Sequence, residues 1–256
     1  MEIKQFILKF LIFLCITSPV LADEVPFYAN ESYASSRNKL LKKVYTDYRY
    51  TLYCNIPFDE NKKLTFPEKF DVSKVSSRVE RIEIEHVIPA EEFGTYIKQW
   101  WFGDENCVDK QNIPYKGRKC AEKTSRIFRL MQSDMYNLYP STGSLNAIRG
   151  NAEFTEFPKF FPSLFQNCLI KVSDNKIEVS DQVKGIIARI YLYFEEQYPF
   201  FKIKPEQKTL FLKWDKEFPP NEWECLRTYR IEELQKNENN IVKKQCIQKN
   251  LWPKKN

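Results

Sequence analysis

Histidine and glycine are scarce in this chain of 256 residues, which contains one histidine, His86, and six glycines. A single histidine excludes the HExxH metalloprotease motif, zinc fingers with two histidines and any histidine-rich metal cage. No two glycines have the spacing of GxGxxG or GxxxxGK, so Rossmann and P-loop nucleotide binding are excluded. GxSxG, the nucleophile motif of α/β-hydrolases, is also absent. Any chemistry that needs an imidazole must therefore use His86.

Long apolar runs are confined to the N-terminus. Lys4 and Lys9 precede an apolar run over residues 10–16, and Val20-Leu21-Ala22 forms a cleavage pattern of small residues. This arrangement predicts a secretory signal over residues 1–22, because the run is shorter than the roughly 20 apolar residues that a membrane helix needs. An uncleaved single-helix anchor is the alternative. The mature chain, residues 23–256, is then expected in the periplasm or outside the cell.

Cysteine usage agrees with export. Cys15 lies in the predicted signal, which leaves an even number of cysteines in the mature chain. An even number in an exported protein predicts three disulfides, although six cysteines allow about 15 pairings and the sequence does not choose among them. A zinc site is the alternative, but no two cysteines have CxxC spacing. The six are Cys54, Cys107, Cys120, Cys168, Cys225 and Cys246.

Hydrophobic residues make up 43% of the chain, which is enough to bury one large core. We find no repeat, low-complexity tract or Gly/Ser linker, so residues 23–256 are predicted to form one domain. Removing the signal changes the formal net charge from +6 to +5. Such a charge is compatible with a polyanionic substrate such as nucleic acid, and also with solubility alone.

The hydrophobic pattern predicts an α+β fold whose C-terminal third is largely helical. Ile82 and Ile84 alternate with Arg81, Glu83 and Glu85, which predicts a strand that ends before Pro89. Predicted helices cover residues 31–49, 121–136, 181–198, 205–218 and 222–236, strands cover 51–57 and 79–88, a hairpin covers 168–179, and a disulfide-tied loop covers 103–120.

Glu85 and His86 are neighbours at the end of the predicted strand. On a regular strand their side chains would face opposite ways, but a departure from strand geometry near Pro89 would let them converge. A neutral imidazole can take a proton from water, and an adjacent carboxylate can hold a hard divalent cation. The alternative is a strand-end histidine that makes an ordinary hydrogen bond.

The stretch from Arg81 to Gly94, R-I-E-I-E-H-V-I-P-A-x-x-F-G, resembles the bacterial endonuclease I family of periplasmic and secreted nucleases. The resemblance covers most of the mature chain in the family's order. It continues in G-R-K-C (117–120), S-D-M-Y-N-L-Y-P-S (133–141), G-S-L-N-A-I-R-G-N (143–151), G-I-I-A-R-I-Y-L-Y (185–193) and W-E-C (223–225).

The resemblance implies a ββα-metal active site in a monomer that cuts DNA, and often RNA, with little sequence preference and leaves 5′-phosphate ends. It assigns His86 as general base, and Glu85 and Asn146 as ligands of one Mg²⁺ ion, which Mn²⁺ could replace. Arg118 would contact the scissile phosphate. A supporting or substrate-binding role falls to Arg149 and Asn151.

Each of three assignments has a purely structural alternative. Asn146 could cap a turn after Gly143, Arg118 could balance the acidic loop 104–109, and Arg149 could be a surface charge. The chain also departs from the family, which typically has eight mature cysteines. Tyr136 replaces a histidine that many members carry, and the family's Q-G-N-x-N-P becomes residues 235–240.

Two other functions compete with a secreted nuclease. One is a catalytically inactive extracellular DNA-binding protein, which would be expected to have lost Glu85, His86 or Asn146; all three are present. The other is a phosphodiesterase for small nucleotides, which would need a closed pocket rather than an open groove lined with Lys and Arg.

Overall fold

Helices dominate the computed structural model, which describes residues 30–68, 70, 81–165 and 167–254. The predicted signal, residues 1–22, lies outside the described residues. The described elements are α1 (Tyr33–Lys39), β1 (Ile82–His86), α2 (Ala90–Gly94), α3 (Lys98–Phe102), α4 (Arg118–Thr124), α5 (Arg126–Ser133), β2 (Leu138–Thr142), α6 (Gly143–Arg149), β3 (Glu153–Phe154), β4 (Ile170–Ser173), β5 (Lys176–Val179), α7 (Asp181–Gln197), α8 (Pro205–Glu217), α9 (Glu222–Gln235) and α10 (Asn240–Gln248).

The central feature is an antiparallel pair of strands, β1 and β2, which are distant in sequence. Glu85 lies opposite Tyr139, and His86 lies opposite Leu138. The helix α6 follows β2 directly, because the Thr142 side chain accepts a hydrogen bond from the backbone N–H of Leu145 and caps the helix. The segment between the two strands carries α2 to α5. Two strands and a following helix therefore form one unit.

The N-terminal part differs from its prediction. The helix α1 continues as a π-helical turn over Leu40–Val44 and ends at Tyr45, short of the predicted residue 49. The strand predicted over residues 51–57 is wrong: these residues form a turn closed by a bridge between Tyr50 and Pro57. Asn55 has φ +50, which a strand cannot accommodate.

The single helix predicted over residues 121–136 is two helices. Ser125 separates α4 from α5 because its backbone is extended and its side chain caps α5 by accepting from the N–H of Phe128.

The hairpin predicted over residues 168–179 is confirmed as β4 and β5, joined through Asp174 and Asn175, which both have positive φ. The short strand β3 pairs in parallel with the other edge of β5.

The helical C-terminal third is confirmed, and each of its predicted helices ends within one residue of its observed bounds. Pro205 begins α8, and the side chain of Asn221 caps α9 by accepting from the N–H of Glu224. A Cβ at Gly185 would lie 1.9 Å from the carbonyl oxygen of Phe218, so only glycine permits this approach of α7 to the end of α8. Together, the observed helices and strands confirm the α+β class.

All six mature cysteines form disulfides, as predicted. The pairings that the sequence left open are Cys54–Cys168, Cys107–Cys120 and Cys225–Cys246. The second bridge ties the 103–120 loop, and the zinc alternative is wrong because every described cysteine is oxidised. Among the residues that the structure describes, no helix has the length and apolar character needed to cross a membrane.

A buried arginine joins the helical third to the strand pair. Arg227 of α9 donates to the carbonyl oxygens of Met135 and Leu138 at 2.8 and 2.7 Å, and its guanidinium lies 3.7 Å from the ring centroid of Tyr139. Since Leu138 begins β2, α9 holds the strand that pairs with β1.

Candidate active site

A cavity of about 580 Å³ opens beside the unit formed by β1, β2 and α6. Five of the six residues that the sequence singled out line this cavity, although they lie on four different segments of the chain. They are Glu85, His86, Arg118, Asn146 and Asn151. The fold therefore brings together residues that are up to 66 positions apart in sequence.

His86 is held in the state of a proton acceptor. Its Nε2 lies 2.8 Å from the carbonyl oxygen of Gln132, and a carbonyl can only accept, so Nε2 carries the proton and Nδ1 is free to accept one. Burial lowers the pKa of His86 to about 4; the bond to Gln132 opposes this shift, and the charge of Arg118 adds to it. The ring is therefore neutral at pH 7.

Glu85 is a buried carboxyl group that accepts no hydrogen bond of good geometry from a described residue. Its residue is 2% exposed, and neither carboxylate oxygen has a hydrogen-bond partner among the described residues. Burial raises the pKa of Glu85 to about 8; the charge of Arg149 and the nearby hydroxyl groups of Tyr53 and Ser141 oppose this shift but do not cancel it. Buried polar groups are nearly always hydrogen-bonded, so an orphaned pair of oxygens at a cavity wall suits a ligand that brings positive charge.

Asn146 lies within α6 and faces β1. Its Nδ2 donates to Oε2 of Glu83 at 2.8 Å, which orients the side chain and leaves the amide oxygen as the group that a cation could use. The turn-capping alternative is wrong, because Thr142 caps this helix.

The donor set fits a hard cation. Glu85 offers carboxylate oxygens and Asn146 an amide oxygen, which are ligands that Mg²⁺ prefers, and that ion keeps several waters when few protein ligands are present. Within the described ranges, no group of three or more His, Cys, Asp or Glu side chains could hold a metal. Glu85 and Asn146 offer the donors for a site of one carboxylate, one amide and water.

Arg118 is the exposed first residue of α4 and lines the cavity. Its side chain forms no ion pair with the acidic loop 104–109 or with another described residue, so the charge-balancing alternative finds no contact to support it. Asn151 also lines the cavity and donates from Nδ2 to Glu91. Both side chains stand where a substrate could reach them.

Arg149 is buried, and the surface-charge alternative is wrong. It is 2% exposed, and its two terminal nitrogens donate to the carbonyl oxygens of Val87 at 2.7 Å and Gly150 at 2.9 Å. Its guanidinium also lies 4.5 Å from the ring centroid of Phe154. Arg149 thus supports the backbone just after His86, and of its two suggested roles this placement fits the supporting one.

A family model, Endonuclease I, matches residues 26–246. The chain belongs to the endonuclease I family. It is 33% identical to an "Extracellular deoxyribonuclease" of Aeromonas hydrophila over 229 residues, 87% of this chain and 93% of the relative. It is also 33% identical to a "Periplasmic deoxyribonuclease" of the same species, over 91% of this chain and 92% of the relative. An "Endonuclease-1" of Buchnera aphidicola subsp. Baizongia pistaciae is 33% identical over 83% of each chain.

The departures from the endonuclease I pattern lie away from the cavity. Tyr136, which replaces a histidine, is buried and donates from its hydroxyl to the carbonyl oxygen of Asn237 at 2.9 Å. Asn237 in turn donates to the hydroxyl of Tyr193, and Gln235 donates to Asp134. Gln235 and Asn237 therefore belong to a buried polar network, and none of residues 235–240 lines the cavity.

Two side chains that the sequence analysis did not single out position His86. Asn137 both donates to the carbonyl oxygen of Ile88 and accepts from its N–H, which fixes the turn after β1. The ring of Tyr33 stacks on His86 with centroids 5.0 Å apart, and its hydroxyl donates to the carbonyl oxygen of Ile84. Asn137 stood in the motif 133–141, which was the available signal; nothing marked Tyr33.

Proposed function

We propose that this protein is a metal-dependent endonuclease that hydrolyses DNA phosphodiester bonds without strong sequence preference, and accepts RNA as a second substrate. The observation that carries the proposal is the orphaned carboxylate of Glu85, which shares one cavity with the neutral His86 and with Asn146. The names of the relatives, two of them deoxyribonucleases, support DNA as the substrate.

We place the mature protein, as a monomer, in the periplasm or outside the cell. The relatives named extracellular and periplasmic support this location. Three disulfides support it as well, because such bridges persist in oxidising compartments. The predicted signal over residues 1–22 supplies the route.

In the proposed mechanism, Nδ1 of His86 takes a proton from a water molecule that attacks phosphorus in line with the departing 3′ oxygen. Glu85 and Asn146 would hold Mg²⁺, which would supply positive charge to neutralise the phosphate and would make nearby water more acidic. The departing 3′ oxygen takes its proton from water. Arg118 donates two parallel hydrogen bonds to phosphate oxygens. Cleavage at the 3′ oxygen leaves a 5′-phosphate end.

The rim of the cavity favours a polymeric substrate. Arg37 and Arg118 are exposed, line the cavity and form no ion pair with a described residue. Cations at an open rim can contact successive phosphates, and phosphates carry no base information, so such contacts account for weak sequence preference. The DNA-binding protein without catalysis is the second candidate, but it gives no reason for an orphaned Glu85 beside His86.

To test this proposal, supercoiled plasmid is incubated in three reactions: wild-type mature protein with Mg²⁺, wild-type mature protein with EDTA, and the His86→Ala variant with Mg²⁺. We expect cleavage by wild type in Mg²⁺, none in EDTA, and a loss of about 10²–10⁴-fold or more in His86→Ala, because the general base is removed. DNA binding by His86→Ala should stay near that of wild type.

Three outcomes would contradict the proposal. An active His86→Ala removes the histidine from its role as base, and cleavage in EDTA removes the metal. Binding without cutting in any divalent cation would favour the inactive DNA-binding protein.

A further inference from the structure

Two adjacent aromatic side chains at the end of α3 are exposed. Trp101 is 51% exposed and Phe102 is 80% exposed, and no residue of α3 is fully buried. Burying a large apolar side chain normally stabilises a fold, so two neighbouring aromatic side chains left in solvent indicate a binding surface. We refer to Trp101 and Phe102 as the aromatic platform.

The backbone holds the aromatic platform in place. The preceding Trp100 packs so closely on Gly94 that a Cβ there would lie 2.3 Å from its ring. The indole N–H of Trp101 donates to the carbonyl oxygen of Thr95 at 2.8 Å, and Gly103, with φ +74, ends the helix. The aromatic rings are therefore presented by a fixed support.

The aromatic platform lies near two exposed cations, Lys116 and Arg118, of which Arg118 lines the cavity. The N–H of Gly117 donates to the carbonyl oxygen of Trp100 at 3.0 Å, and standard bond lengths then bring the α-carbons of Trp101 and Arg118 within about 11 Å. A Cβ at Gly103, next to Phe102, would lie 3.7 Å from the Cβ of Lys116. Lys116 and Arg118 are exposed and form no ion pair with a described residue.

We propose that the aromatic platform stacks on unpaired bases of a single-stranded nucleic acid whose backbone runs past Lys116 and Arg118. Phosphates would contact the two cations while a base one or two nucleotides away lies on Trp101 or Phe102. Stacking tolerates every base, because each has a flat π-face, so the contact adds affinity without sequence preference. The inference rests on the proposed function only in taking Arg118 as a phosphate contact.

Aromatic rings beside lysines also suit an anionic lipid surface. Nucleic acid is favoured because the aromatic platform lies near Arg118, which lines the cavity together with His86, whereas a lipid surface would have no use for that proximity. The two occupants differ in what they need from the ring: a base needs a flat face, and a lipid surface needs only apolar area.

The test measures binding in EDTA of a fluorescent single strand of about 12 nucleotides, and of an abasic strand of equal length, within the usual site size. We expect the Trp101→Ala/Phe102→Ala variant to bind the normal strand at least about tenfold more weakly than wild type, and the abasic strand equally well. Phe102→Tyr should retain affinity and Phe102→Leu should lose it. Phe160→Ala, which removes a 94% exposed aromatic elsewhere, is the matched control and should bind like wild type.

Equal loss on both strands, or no loss on the normal strand, would overturn the aromatic platform as a base-stacking site. So would retained affinity in Phe102→Leu together with weaker binding of the double variant to vesicles of anionic phospholipid, which would assign the surface to lipid. These results can be told apart from a failure of the proposed function. If wild type shows base-dependent binding but does not cleave plasmid, the base-stacking site stands and the nuclease proposal fails. If wild type cleaves plasmid and the double variant binds the normal strand like wild type, the nuclease proposal stands and the base-stacking site fails.

Discussion

Glu85 in β1 and Glu224 in α9 are both buried glutamates, 2% and 3% exposed, and the fold treats them in opposite ways. Glu224 accepts two hydrogen bonds from Arg189, at 2.7 and 2.6 Å, so its charge is fully paired. Glu85 accepts none from any described residue. A buried carboxylate that the protein pairs is part of its structure, whereas one left unpaired at a cavity is available for a ligand.

The same contrast holds between the two regions around these glutamates. Asp134 accepts hydrogen bonds from three residues of the helical third, Tyr193, Tyr198 and Gln235. Near β1, the Tyr53 hydroxyl and the Arg149 Nε join Glu85 as buried atoms without hydrogen-bond partners among the described residues. Four of the six buried side-chain atoms without a hydrogen-bond partner among the described residues thus belong to Tyr53, Glu85 and Arg149, and the other two are Ser133 Oγ and Glu232 Oε2. Most of them therefore lie near the site, where natural proteins give up local stability for function.

The largest expected effect separates the two glutamates. Glu85→Gln should lower DNA cleavage by about 10³-fold, because a metal ligand is lost and metal ions supply several kcal/mol of charge stabilisation. Glu224→Gln should leave the metal dependence unchanged but lower the free energy of unfolding by about 3–5 kcal/mol, because it leaves Arg189 partly unpaired. Plasmid cleavage across a Mg²⁺ titration and denaturant unfolding measure the two effects.

The contrast between the two glutamates would be wrong if Glu85→Gln and Glu224→Gln had the same effect on stability. In EDTA, Glu85→Gln should unfold within about 1 kcal/mol of wild type, because no native partner is lost. A strongly destabilised Glu85→Gln would show that Glu85 is a structural residue like Glu224.

A smaller effect is expected at the phosphate contact. Arg118→Ala should lower cleavage by about 10²-fold, the size found for one fixed oxyanion donor, without changing the melting temperature, since the side chain is exposed. Arg118→Lys should recover only part, because an ammonium cannot make two parallel bonds to a phosphate. Full activity in Arg118→Ala would remove this residue from the site.

Two disulfides of similar span, one near the candidate site and one in the helical third, allow a matched comparison of the two regions. Cys107–Cys120 closes 13 residues beside Arg118, and Cys225–Cys246 closes 21 residues between α9 and α10. Replacing either pair with serines should lower the free energy of unfolding by about 3 kcal/mol. Only loss of Cys107–Cys120 should also reduce cleavage at a temperature where both variants stay folded; equal activity in the two would show that this loop does not position Arg118.

The smallest effect concerns Lys236, which ends α9 in the left-handed conformation with φ +65. A side chain there costs about 1 kcal/mol relative to glycine, partly offset by the greater freedom of glycine in the unfolded chain. Lys236→Gly should therefore raise the melting temperature slightly and leave cleavage unchanged, as a thermal melt and the plasmid assay would show. A lower melting temperature would contradict the conformational argument.

The sequence predicted best the elements whose periodicity is long. Residues 181–198 repeat apolar side chains at helical spacing, and α7 matches that range closely. Short segments failed: residues 51–57 look like a strand by composition, but the Cys54–Cys168 bridge and the positive φ of Asn55 are tertiary features that composition does not carry. Likewise, the break at Ser125 depends on a cap that a helical pattern conceals.

The site residues could be named from motif resemblance, but their environments could not. No pattern showed that Asn137 would bridge Ile88 in both directions, that Tyr33 would stack on His86, or that Arg149 would turn inward. These depend on contacts between segments more than 40 residues apart, and such contacts are set by packing.

The most direct test of the central claim is anomalous X-ray diffraction from crystals of the protein soaked in Mn²⁺. We expect an anomalous peak between the carboxylate of Glu85 and the amide oxygen of Asn146, on the same cavity wall as His86. A peak elsewhere, with Glu85 contacting only protein or water, would contradict the claim that the unpaired buried carboxylate exists to hold the metal.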